Sequence, residues 1–474
     1  MSQSPGFLES RFGRTAALVT AVVVIGVAAF VAISLLQSAP TTAQPSGSAS
    51  PSAPIEASPE ATATPPLTFT SDEGIVQVLV EKLPMRAQPA DDGVTLTELA
   101  MGQLALATGR GSEVDGNVWI EIRQEPSERV GWVAVASSDG TPALAVVHDG
   151  AIGVTSGSDA ELFDLTTAQR TALTSGMSIH ELAFSPDGEH VALLDPFRGA
   201  AVVSIDTTTT PEPTPEPTGG VIGPPAMLHP TFAPNGEVVA YLVGQDFLGL
   251  SLLVLGEGPP PTFATPPTVY PVSWAPDSRH IASSTTVSPP GSNVENWEIV
   301  VSEEGATKPV RLTRRAGTDA SPAWSPDGST IAYLQQLNAG TLALALVDAD
   351  GNNQRRVLTL DGFPSSGGFA MQPAWSPDGS HIAIAQSIEG QSAVIHLVDV
   401  HTSEHLTISA PVGECADLTW SPTGSHIAFV CTNDFVASNA YAVEVGYTNV
   451  MTLGPAWHVD WARTLGPLNI PSSQ

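Results

Sequence analysis

The sequence has 474 residues, 42% of them apolar and 14% charged, with a formal net charge of −31. Seventeen Lys and Arg against 48 Asp and Glu exclude nucleic acid as a partner, because phosphate binding needs clustered basic side chains. The length allows two or three domains with sizeable cores.

Residues 1–14 form a short polar tail carrying Arg11 and Arg14. Residues 15–36, TAALVTAVVVIGVAAFVAISLL, are uncharged and apolar. At helical rise they span about 33 Å, the thickness of a bilayer core. The next basic residue after this run is Lys82, so the positive-inside bias places the N-terminus in the cytoplasm and the rest outside. The run is long for a signal peptide and no A-x-A cleavage site follows, so the expectation is an uncleaved signal anchor in a single-pass membrane protein. Cleavage would leave the same chain outside the cytoplasm. A tail this short holds no intracellular catalytic domain.

Residues 37–67 are rich in Pro, Ala, Ser and Thr and cannot bury enough apolar surface to fold, which predicts a disordered spacer. Residues 74–136 then read as short strands separated by Gly, Asp and Pro: IVQVLV, TLTELAMGQLALATG, NVWIEIRQ and RVGWVAVA. Leu83 to Arg86 before a polar loop, Met101-Gly102 before a strand, Trp119 in VWIEI, and Gly131-Trp132-Val133 near the end carry a resemblance to the bacterial SH3-like domain family. That resemblance implies a small barrel that contacts cell wall. It carries over no ligand site, and Trp119 and Trp132 read as barrel core.

From residue 140 to 465 the sequence repeats itself. ELAFSPDG from Glu181, HPTFAPNG from His229, PVSWAPDS from Pro271, SPAWSPDG from Ser321, QPAWSPDG from Gln372 and DLTWSPTG from Asp417 align without gaps. Their anchors Phe184, Phe232, Trp274, Trp324, Trp375 and Trp420 are spaced by 48, 42, 50, 51 and 45 residues, the length of a four-stranded blade. In each unit the aromatic ends a strand, S-P-D-G turns the chain, and an apolar strand returns. These repeats resemble those of TolB and of the propeller halves of prolyl-oligopeptidase-type peptidases, which implies a β-propeller. Residues 143–174 look like late strands of a blade lacking its first strand, and HVDWA, from His458 to Ala462 with Trp461 as its aromatic anchor, looks like a first strand lacking the rest. Joined, they predict a split blade and a ring of seven, with six as the alternative. Residues 466–474 are a C-terminal tail. The expected class is therefore all-β: a propeller plus an SH3-like barrel, with one transmembrane helix.

Chemistry is sparse in the pattern. There is no G-x-S-x-G elbow, and no α/β-hydrolase domain follows the last repeat. His190, His280, His381 and His426 recur at one repeat position, but blade-equivalent places are spread around a ring and cannot share a metal. Asp348–Asn352 lacks the carboxylate spacing of a calcium loop and reads as a hairpin turn. Cys415 and Cys431 lie equally far from Thr423; a hairpin centred there would join them as a disulfide, and a one-residue slip would leave two buried thiols. No catalytic, cofactor or metal residues are expected. The functional expectation is a membrane-anchored, extracytoplasmic, non-enzymatic binding or scaffold protein of the cell envelope. Its propeller would bind a protein, peptide or glycan. The alternatives are a propeller enzyme acting on glycans or peptides, and a sensor ectodomain.

Overall fold

The computed structural model describes residues 67–466 and 468, apart from 196–198, 206–225, 245–248, 256–258, 265–270, 288–295, 316, 339, 362–370, 388–390, 411–412 and 433–437. The expected membrane segment 15–36, nearly all of the spacer and the C-terminal tail beyond residue 466 (except 468) lie outside these residues. Every regular element among the described residues is a β-strand, and none of them belongs to a helix long and apolar enough to cross a membrane.

The first six strands are β1 (Leu67–Val78), β2 (Lys82–Arg86), β3 (Thr95–Ala100), β4 (Leu104–Val114), β5 (Asn117–Gln124) and β6 (Arg129–Ala134). They pair antiparallel in the order β3-β2-β6-β5-β4-β1. Alternation along β2, β4 and β6 turns Leu83, Met85, Ala105, Ala107 and Val133 inward, where they meet Leu99, Ile120 and Ile122. Trp119 is buried, whereas Trp132 is half-buried under the Arg110 guanidinium, 5.5 Å from the ring centre.

This unit is not a separate body, as its sequence boundary at residue 136 implied. The end of β1 pairs with β7 (Leu144–Thr155), Val76 opposite Val146, and the sheet runs on through β8 (Ala160–Asp164) and β9 (Gln169–Ala172). The last strand, His458–Gly466, pairs with the other edge of β7, Trp461 opposite Ile152. Strand His458–Gly466 with β7, β8 and β9 is thus the split blade anticipated from the two half-repeats.

Six further sheets of three or four antiparallel strands follow in chain order, each starting with its aromatic-ended strand. By free-standing sheets the propeller has six blades of its own. By inner strands the ring has seven places, because His458–Gly466 packs between Glu414–Trp420 on one side and Glu181–Phe184 on the other. The propeller therefore has six blades, the alternative count and not the expected seven, and the strand that closes the ring belongs to the sheet shared with β1–β6. Pairing strand His458–Gly466 with β7 brings the first and last described strands into one sheet, while the edges left at β3, β9 and the outer blade strands are short.

The repeat chemistry acts locally. In the turn after Trp324, Asp327 Oδ1 accepts from the Ser329 N–H at 2.9 Å, the Gly328 N–H donates to Ser325 O at 3.0 Å, and Gly328 takes φ +73°. Between blades, the indole N–H of Trp274, Trp375 and Trp420 donates to the carbonyl of Thr231, Ala323 and Ala374 on the preceding inner strand, at 3.2, 2.9 and 2.9 Å. A buried ring with its one polar atom satisfied is a strong wedge; truncating such a Trp to Ala costs about 3–5 kcal/mol.

Cys415 and Cys431 are directly opposed across their hairpin and joined by a disulfide. Near the turn Trp420 pairs with Ile427 and Thr419 with Ala428. Beyond a bulge at residues 417–418, Ala416 pairs with Val430 and Cys415 with Cys431. The extra residue restores the register that unites the sulfurs. The bond closes a loop of 16 residues, for which chain entropy gives about 3 kcal/mol. The Cys415→Ala/Cys431→Ala variant should lose about that much, read as a lower urea midpoint, with a slope that rises slightly because the unlinked chain exposes more surface when unfolded.

Candidate functional site

The inner strands surround an axial cavity of about 510 Å³. The sequence-derived anchors Phe184, Phe232, Trp274, Trp324, Trp375, Trp420 and Trp461 all line it, together with the prolines of the following turns. Five of the seven anchors are buried and Trp324 and Trp375 are half-buried, so they form walls between blades more than a ligand-facing surface. Gly102, Gln103 and Leu104, at the turn from β3 to β4, contribute to the cavity from the N-terminal unit. Gly102 takes φ +83°, and a Cβ there would lie 1.7 Å from Pro234 O, so only glycine allows this approach.

The residue three places before each aromatic comes closest to forming a chemical site. Around the ring these are Asp417, His458, Glu181, His229, Pro271, Ser321 and Gln372. Four consecutive inner strands therefore carry an Asp–His–Glu–His arc, and the other three place Pro271, Ser321 and Gln372 at that position. Asp417, Ser321 and His229 sit in bulges with φ of +50°, +54° and +56°. Bulges of this kind re-aim a side chain out of the alternation, and non-glycine residues with positive φ are uncommon enough to mark places where position matters.

The contacts run strand to strand. His458 Nδ1 lies 3.2 Å from Asp417 Oδ2, and His458 Nε2 lies 2.9 Å from Leu182 O. Both ring nitrogens thus face acceptors, which suits the imidazolium form, since only it donates twice. The His229 N–H donates to Glu181 Oε2, and His229 Nδ1 lies 3.9 Å from the same oxygen. Asp460, one place before Trp461, accepts from the Phe184 N–H at 2.9 Å and from the Thr419 hydroxyl at 3.2 Å, tying three inner strands together.

These surroundings shift ionisation. Desolvation would lower the His458 pKa, but the charge and hydrogen bond of Asp417, with Glu181 and Asp460 nearby, raise it to about 9. Desolvation opposes ionisation of Asp417 too, yet His458 and His229 hold it below the usual carboxylate range. For Asp460 desolvation wins, and its pKa is raised despite the Phe184 N–H. Desolvation brings Arg463 down to about 10, with Asp460 and Asp187 opposing; its Nη1 donates to Gln77 Oε1 at 2.8 Å. The arc offers carboxylate acceptors and a fixed cation to hydroxyl, amide or ammonium groups.

The repeated histidines stay apart, each serving its own turn. His280 Nδ1 lies 2.7 Å from Asp277, while His381 and His426 lie 2.7 and 2.8 Å from Ser380 and Ser425. Among the described residues, Asp187, Glu189 and His190 bring ligand-type atoms within 4.8 Å, but Asp187 is already engaged by the Ser185 hydroxyl and the Glu189 N–H. The arc escaped the sequence reading although its residues open the aligned repeats. The aligned starts read Glu, His, Pro, Ser, Gln, Asp and His, and the departure of four of them from neutral residues was the available signal.

No protein-family model matches the chain. The curated protein named "Uncharacterized peptidase YuxL", from Bacillus subtilis, is 29% identical over 122 residues, which are 25% of this chain and 17% of that protein. The chain thus spans less than a fifth of that relative. Among solved structures, TolB from Acinetobacter baumannii is 16% identical with a TM-score of 0.40, covering 69% of this chain and 84% of its own. An oligogalacturonate lyase in complex with manganese is 15% identical with a TM-score of 0.44, covering 65% and 86%. The periplasmic gluconolactonase of Pseudomonas aeruginosa is 14% identical with a TM-score of 0.44, covering 68% and 98%. This likeness is one of fold alone. The expectation that the chain is not an enzyme is nevertheless corrected, because a matched relative is a peptidase by name. Absence of a local catalytic motif does not exclude catalysis where a site is assembled from different blades.

Because the His458 pKa is raised on folding, its contribution to stability is complete below its ordinary value of 6.5 and is lost as pH rises through about 9. The depressed Asp417 works in the opposite direction, contributing above the usual carboxylate range and losing its effect as pH falls through its lowered value. Urea midpoints should therefore fall between pH 6.5 and 9.5, and His458→Gln should flatten that decline.

Proposed function

We propose that this chain is an extracytoplasmic, membrane-tethered propeller of the cell envelope that binds a peptide, protein segment or glycan in its axial cavity, at the Asp417–His458–Glu181–His229 arc. The observation that carries this reading is the arc's asymmetry. A purely structural repeat has no reason to place four titratable groups on consecutive inner strands when Pro271, Ser321 and Gln372 serve the same place elsewhere. The cavity size falls within the range of small-ligand sites. The apolar run 15–36 supports the tether, and the spacer 37–67 supports reach away from the bilayer. The SH3-like motifs of residues 74–136 support contact with cell wall. The surplus of carboxylates disfavours anionic ligands.

A catalytic reading has one observation in its favour. Asp417 and Asp460 flank His458 with their ionisation pushed in opposite directions, the pattern of acid–base sites. Turnover of a glycan or peptide panel that Asp417→Asn abolishes would establish it.

For the binding reading, a photo-crosslinker at Gln372, on the wall away from the arc, should capture an envelope component in the native membrane. The Asp417→Asn/His458→Gln variant should reduce capture at least tenfold. Capture unchanged by that variant would sink the proposal.

A further inference from the structure

A second cavity, of about 310 Å³, lies at the seam between the N-terminal sheet and the propeller. Gln124, Arg129 and Glu98 line it from the sheet, and Trp324, Asp277 and His280 from the propeller. Gln103, Pro276 and Trp324 line this cavity and the axial one alike, so the two adjoin.

Two of its lining side chains have unmet hydrogen-bonding capacity. Gln124 is 2% exposed, and its Oε1 has no hydrogen-bond partner among the described residues. Trp324 Nε1 is likewise buried without one. Of the equivalent indoles, those of Trp274, Trp375 and Trp420 donate to the preceding inner strand, whereas that of Trp461, away from this cavity, is also without a partner among the described residues. A buried donor or acceptor left unmet is costly, and two such atoms lining one cavity call for a water or a ligand between them.

The walls are held in place. The Ser127 N–H donates to Asp327 Oδ2 at 3.1 Å, and Glu125 joins His401 and Arg123, each at 3.0 Å. These bonds keep sheet and propeller at a set separation beside the cavity. At about 30 Å³ per water, the space would hold around ten waters or one small organic molecule.

We propose that this seam is a binding site for a neutral, hydroxyl-rich ligand of one or two sugar rings, bridging Gln124 and Trp324. A hydroxyl both donates and accepts, so one group type satisfies the Gln124 carbonyl oxygen and the Trp324 N–H. Charged side chains of both signs surround the space: Arg129 and His280 against Glu98, Asp277 and Asp327. The surplus of carboxylates disfavours an anion, and Asp277 and Asp327 already accept hydrogen bonds within the protein, which leaves a neutral ligand the better fit. The site is distinct from the axial arc and does not depend on it.

The test uses the full-length chain in detergent, with cellobiose, maltose and diacetylchitobiose as probes at millimolar concentration. At least one disaccharide should raise the melting temperature by about 2 °C or more. The shift should disappear in Gln124→Met, weaken at least tenfold in concentration dependence in Trp324→Phe, and persist in His458→Gln. Quenching or blue-shift of tryptophan fluorescence in the wild type provides a readout that needs no variant to fold. A wild type unmoved by all three sugars in both measurements would show that the seam holds solvent only and overturn the proposal. So would a thermal shift that survives in both Gln124→Met and Trp324→Phe.

Discussion

The pairing of strand His458–Gly466 with β7 is the constraint on which the rest of the molecule depends. A ring of sheets has no interior until its last gap is filled, and here the filler comes from the far end of the folded chain. The strand also seats Asp460 where it can accept from Phe184 and Thr419 on the two flanking inner strands. Closure is therefore secured twice, by a β-ladder and by one carboxylate. A carboxylate so enclosed ionises less readily, which ties ring closure to the electrostatics of the axis.

Closure also turns a repeat into a site. Each repeat taken alone places one residue three positions ahead of its aromatic, and nothing about a single copy makes that residue functional. Once the strands converge, these residues become neighbours around one axis, and four of them compose an arc of alternating carboxylates and imidazoles. The bulges at His229, Ser321 and Asp417 show that the backbone departs from regular alternation at these places. In the Asp417 strand the same bulge restores the register that joins Cys415 to Cys431, so one irregularity serves both the arc and the covalent brace.

The N-terminal unit is built into this architecture. β1 continues the split blade through β7, Gly102 approaches Pro234 without room for a side chain, and Glu125 packs against the turn at Gly379. A unit joined to the propeller by both a shared sheet and close backbone contacts moves with it. Its turn from β3 to β4 contributes to the wall of the axial cavity, and its β5 strand carries Gln124 into the seam cavity.

Much of the fold was legible in the sequence because its signals are local. An aromatic, a Pro-Asp-Gly turn and an apolar return strand recur within about a dozen residues, and each feature acts on its immediate neighbours. Even the split blade was readable, since two half-repeats at opposite ends complete one unit. The compartment is likewise a sequence-level inference, because it rests on the uninterrupted apolar run of residues 15–36. Tertiary structure alone decided what lies between elements far apart in the chain. His458 meets Asp417 and Leu182 only after the ends of the ring join, and Gln124 lines the seam with Trp324 across 200 residues because the sheet docks there. The physical reason is that turn and strand preferences are short-ranged, whereas desolvation, ionisation and unmet hydrogen bonds depend on which distant groups the closed ring brings into contact.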